Sequence, residues 1–135
     1  MSIGRTHAAN LEFLRLFSHG TVVGLTDGQL LERFASRGGP AAETAFEALV
    51  SRHGPMVLRV CRGMLDDPHD ARDAFQATFL VLVRRARSIC RQDSVASWLH
   101  GVARRVASRA KTDLARRRTH ERRVVAMSPK GFARS

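Results

Sequence analysis

Tyrosine is absent from this chain, tryptophan occurs once and cysteine twice, and aromatic residues make up only 6% of the whole. β-Branched residues are few outside scattered Val, and no segment alternates apolar with polar residues, so strands are not expected. The two cysteines, Cys61 and Cys90, form no CxxC pair and have no Cys/His partner at ligand spacing, which argues against a zinc site. Free thiols suit a reducing compartment, and a cytoplasmic location is expected. No apolar run approaches the ~20 residues that span a bilayer. The opening MSIGRTHAANLEFLRLF lacks an apolar h-region, so neither a membrane contact nor a signal peptide is expected. Internal repeats are lacking too.

The usual signatures of catalysis are also missing. Six histidines occur, but none has a His or Glu partner at metal-binding spacing and there is no HExxH. No phosphate-cradling glycine loop and no Ser/His/Asp pattern is present. Asp66, Asp67, Asp70 and Asp73 form a carboxylate cluster, yet Asp67 and Asp70 are better explained as a helix cap and a first-turn residue. The expectation is a non-enzymatic chain with no catalytic residue, no metal and no cofactor.

What the chain has in quantity is Ala, Leu and Arg, all helix formers. Its 135 residues, 44% of them hydrophobic, suffice for one core. Asn10 to Phe17 reads as a short amphipathic helix. Thr26 reads as the N-cap of the next, and Gly38-Gly39-Pro40 as a break with Pro40 near a first helical position. Ala45, Phe46, Leu49, Val50, Val57, Val60 and Cys61 keep helical spacing through Pro55, which either kinks one helix or opens a second. Asp66-Asp67-Pro68 stops that run and starts another to about Ser88. Asp93 or Ser94 caps the last helix, which ends near Val125. The expected fold is all-α, a compact helical bundle of four to six helices. Its expected parts are an N-terminal extension (1–25), a helical domain (26–123) and a disordered tail or start of a linker (124–135).

The net charge of +11 is unevenly spread. From Thr26 to Val83 six Arg face eight Asp/Glu, a balance of −2. From Arg84 to Arg123 thirteen Arg/Lys face Asp93, Asp113 and Glu121, a balance of +10. Such a block points to a polyanion, nucleic acid being the commonest. A merely solvated basic face is the alternative.

The helix DARDAFQATFLVLVRRA has more apolar residues than one buried stripe needs. Ala71, Phe75, Thr78, Phe79, Leu82 and Ala86 share the expected core face. Asp73, Gln76, Ala77, Leu80 and Arg84 lie opposite, with Leu80 ringed by polar groups, as in a docking patch or beneath a neighbouring helix. In the last helix, Val95, Leu99, Val102, Ala103, Val106, Ala110 and Leu114 line the core face, with Arg104, Ser108 and Lys111 opposite. A flank stripe carries Trp98, Arg105, Arg109, Thr112 and Arg116. Arginine forks suit phosphate oxygens, and an indole can stack on an unpaired base. Trp98 can equally anchor the helix start in the core.

DPHDARDAFQATFLVLVRRA followed by SVASWLHGVARRVASRAKTDLARRR resembles region two of bacterial RNA polymerase sigma factors, in the extracytoplasmic-function (ECF) group. The likeness covers about Leu25 to Arg123. It implies a transcription initiation factor that binds core RNA polymerase, through a coiled coil on its largest subunit, and the melted −10 promoter element. The positions matching the family's polymerase-binding residues are Asp73, Gln76 and Leu80. Ala77 and Arg84 complete the expected docking face, and Arg72 stands where the family often has an acidic residue. The expected DNA-binding residues are Ser88, Arg91, Ser94, Trp98, Arg104, Arg105, Ser108, Arg109, Lys111 and Arg116. The resemblance leaves room for an anti-sigma partner. It does not reach the family's region four, a helix-turn-helix reader of the −35 element. The alternative functions are a generic basic helical nucleic-acid-binding module and a sigma-like decoy that occupies the polymerase site.

Overall fold

The computed structural model describes residues 22–89 and 94–127. The helix expected over residues 10–17, together with Cys90, Arg91, Asp93 and the residues after 127, lies outside them. Four helices make up the described chain, with no strand among its residues: α1 (Asp27–Ser36), α2 (Gly39–Met64), α3 (Pro68–Ile89) and α4 (Val95–Met127). α2 packs against the other three, α3 also meets α1 and α4, and the apolar stripes close on one core. This is the all-α compact bundle expected from the helix-favouring composition.

Three of the four helix starts carry a side-chain cap, and α2 begins after Gly38 without one. Gln29 N–H donates to Thr26 Oγ1 at 3.1 Å, and Thr26 N–H donates to Gln29 Oε1 at 2.8 Å, a reciprocal capping box. His69 N–H donates to Asp67 Oδ1 at 2.7 Å, so Asp67 caps α3. Ser97 N–H donates to Ser94 Oγ at 3.1 Å, which makes Ser94 the cap of α4. Gly39 enters α2 with φ +64°, a left-handed conformation costing other residues roughly 1–2 kcal/mol. That requirement accounts for glycine immediately before Pro40.

Pro55 does not divide α2, which is continuous from Gly39 to Met64. Proline withdraws the hydrogen bond to the carbonyl four residues back, here Ser51. Both Ser51 and Pro55 are exposed, so water can satisfy that carbonyl. On the inner side Leu49, Val57 and Cys61 are fully buried and hold both halves in line. Burial raises the pKa of the Cys61 thiol, which stays protonated and unreactive inside the core.

The packed body begins earlier than residue 26. Val22 is buried in the core and Leu25 packs against it. Arg52 on α2 secures this entry: Nη2 donates to the Val22 and Val23 carbonyls, each at 3.2 Å, and Nη1 donates to Asp27 Oδ1 at 3.2 Å. His53 Nε2 lies 2.9 Å from Asp27 Oδ2, close but not aligned as a hydrogen bond. Arg52→Ala releases all three acceptors and should lower stability by about 1–2 kcal/mol, given the partial exposure of the guanidinium. Chemical denaturation should register the loss, and amide exchange should quicken first at the start of α1. Unchanged protection there would show that the latch is ornamental.

At its other end the chain stays helical through Met127, so residues 124–127, expected in the tail, belong to α4. After Gly101 no Gly or Pro interrupts the sequence before Pro129, and a helix normally ends ahead of a proline. From Ala115 onward every described residue is exposed. Ala115 and Arg118 still line a cavity with the α2–α3 turn, and beyond them the helix extends for about 13 Å more, at ~1.5 Å per residue.

Candidate polymerase and nucleic-acid faces

α3 places Asp73, Gln76, Leu80 and Arg84 on its outer side, all exposed, with Ala77 half-buried beside them. Leu80 is 54% exposed, so none of the described helices covers it. The apolar surface there is larger than one leucine. Phe46 and Val50 of α2 and Phe75, Phe79, Leu80 and Val83 of α3 line an open groove of about 420 Å³, with Gln76 as its polar member. Rings brace its floor: Phe75 and Phe79 have centroids 5.0 Å apart, Phe46 meets Phe79 edge-on at 6.3 Å, and Phe34 of α1 backs Phe46 at 5.3 Å.

Sequence periodicity gives Phe46 and Val50 helical spacing and puts Phe75 and Phe79 on the expected core face, and it does not identify any of them as groove walls. Phe75 is half-buried, and Ala74, off the expected stripe, takes a fully interior place. The small Ala71 and Ala74 face inward and Gly54 lies against Phe75, at 3.6 Å from an ideal Cβ, so α2 and α3 approach closely and the larger rings are displaced to the edge. The signal available in sequence was the excess of Phe on two adjacent helices, which one core stripe cannot absorb.

The second face belongs to α4. Val95, Leu99, Val102, Ala103 and Ala107 are buried, while Val106, Ala110 and Leu114 are half-buried. Arg104, Arg105, Ser108, Arg109, Lys111 and Arg116 are exposed, and so is Ser88 at the end of α3. Trp98 packs against the core cluster and remains partly open to solvent. Gly101 sits between it and Arg105 on the same stripe, and an ideal Cβ there would lie 3.4 Å from Arg105 Nη1. The guanidinium therefore folds back over Gly101. Ser94, expected at the DNA, spends its hydroxyl on the helix cap. Arg91 lies outside the described residues.

The family model for sigma-70 region 2 matches residues 49–118, just over half of the 135 residues. The chain belongs to the sigma-70 region 2 family. Sigma region 2 is a non-enzymatic domain of transcription initiation, and family membership implies binding to core RNA polymerase and to promoter DNA. The matched span contains most of the groove and both long faces, but leaves out α1, Phe46 and the last turns of α4. No curated protein and no solved structure matches the chain. Among the described residues of this sigma region 2 no group of His, Cys, Asp or Glu is arranged to hold a metal ion, and none of the described helices is long and apolar enough to cross a membrane.

Proposed function

We propose that this sigma region 2 is of the ECF type, acts in the cytoplasm, docks on the coiled coil of the largest polymerase subunit through α3, and holds melted −10 DNA on α4. The observation that carries the reading is the Leu80 groove: an open apolar trough with Gln76 in its lining and Asp73 exposed one turn earlier on the same helix, whose neighbour carries the cationic face. An amphipathic helix of the polymerase coiled coil fits such a trough as apolar anchors in a groove.

On α4, Arg104, Arg105, Arg109, Lys111 and Arg116 supply phosphate contacts, which give affinity without sequence information. The exposed edge of Trp98 offers a stacking surface near Arg105 for an unpaired base of the displaced strand, with Ser88, Ser94 and Ser108 as further polar contacts, and Arg91, outside the described residues, is proposed to join them. The domain does no chemistry. It stabilises the open form of the DNA by binding it in preference to the duplex.

Forked −10 promoter DNA carrying a fluorophore tests this by anisotropy. The chain alone should bind weakly and with strong salt dependence, and addition of core polymerase should produce a tight complex that Trp98→Ala weakens selectively on forked over fully paired DNA. Equal affinity with and without polymerase would instead describe a general basic nucleic-acid-binding module.

A further inference from the structure

The aspartates of the α2–α3 turn find no role in either face, yet the fold places them beside the cationic helix. Asp66, Asp67 and Asp70 line one side of a cavity of about 350 Å³, and Lys111 and Arg118 of α4 line the other, over an apolar floor that includes Leu114. All are exposed except Asp70 and Leu114, which are half-buried. Among the described residues these carboxylates form no ion pair with Lys111 or Arg118, so the two signs face each other across solvent. A cavity of this size is no wider than about one Debye length, ~10 Å at 0.1 M salt, so the charges interact without touching.

We propose that this acidic turn is an electrostatic guard, lowering the affinity of α4 for ordinary duplex DNA. The inference rests on α4 being the DNA-binding helix. A phosphate approaching Lys111 or Arg118 enters the field of the facing carboxylates. Duplex of arbitrary sequence is held almost entirely by phosphate contacts and feels that repulsion in full. A melted −10 element also gains stacking at Trp98, some turns away from the cavity, and keeps that part of its binding. The turn therefore widens the gap between target and non-target DNA by weakening the wrong complex, a repulsive route to specificity. Asp67 has a second duty as the cap of α3, while Asp66 makes no such bond and Asp70 lies in the first turn.

The test is D66N/D70N in the full chain, with Asp67 kept, on a random-sequence duplex without polymerase. At about 0.1 M salt its affinity should rise roughly three- to tenfold over the unmodified chain, the gain shrinking as salt increases. Glu32→Gln with Glu43→Gln changes net charge equally at positions away from the cavity and should leave affinity nearly unchanged. In a K111Q/R118Q background the D66N/D70N gain should vanish. The proposal is overturned if D66N/D70N gives no gain, if the Glu32/Glu43 pair matches it, or if the gain survives loss of both cations. Because polymerase is absent, failure of the sigma reading would show separately, as a missing forked-DNA complex with core enzyme.

Discussion

Asp73→Lys combined with Leu80→Ala should abolish retention of the chain by core RNA polymerase while leaving its fold intact. Burying one leucine side chain in a partner contributes roughly 1.5–3 kcal/mol, so its loss alone weakens binding by about 10- to 100-fold. Reversing Asp73 then places a cation on the outer side of α3, one turn before the groove residue Gln76. Both side chains project into solvent in the free domain. Helicity should therefore be unchanged and stability should move by no more than about 0.5 kcal/mol. Pull-down with core enzyme reads the first effect and thermal unfolding the second. Retention equal to the unmodified chain would remove the groove from the docking role, and a collapse in stability would mean that Leu80 serves the fold after all.

The largest effect on stability is expected at Leu99. Five residues of α4 are buried, and four of them are Val95, Val102, Ala103 and Ala107. Leu99 is the one large side chain among them that is fully enclosed. Leu99→Ala deletes that anchor, leaves a cavity among tightly packed neighbours, and should cost about 2–5 kcal/mol. Domains of this size are stable by only about 5–15 kcal/mol, so the variant loses a large share of the total. Chemical denaturation should show a markedly lower midpoint. Leu114→Ala, at the half-buried edge, provides the contrast and should cost clearly less. Equal effects at the two positions would contradict the view that α4 is fastened near its start and runs free toward its end. The same asymmetry bears on function, since the bundle fixes the tryptophan end of the helix and leaves the arginine-rich end standing in solvent.

Much of this domain was legible before any coordinates. Helix count and class follow from composition and from caps at Thr26, Asp67 and Ser94, because capping is a contact between residues three or fewer positions apart. The outward stripe from Asp73 to Arg84 and the basic flank of α4 follow from the 3.6-residue period, which depends on one helix at a time. Assignment of Leu80 to the outside needed more, since periodicity orients a side chain without showing whether another helix lies across it.

What only the tertiary structure decided involves pairs of elements. Phe46 and Phe75 carry identical apolar signals whether they end in a core or in a groove, and the close approach of α2 to α3 over Ala74 and Gly54 sends them to the rim. Arg52 reads as one more surface arginine until the fold brings the Val22 and Val23 carbonyls and Asp27 to it. Pro55 left two readings open, resolved by burial of Leu49, Val57 and Cys61 on either side of it. The carboxylates at 66, 67 and 70 read as local helix punctuation, and only the packing of α4 sets them opposite Lys111 and Arg118. Local order is written in spacing along the chain, whereas contact between helices depends on side-chain volumes meeting in three dimensions.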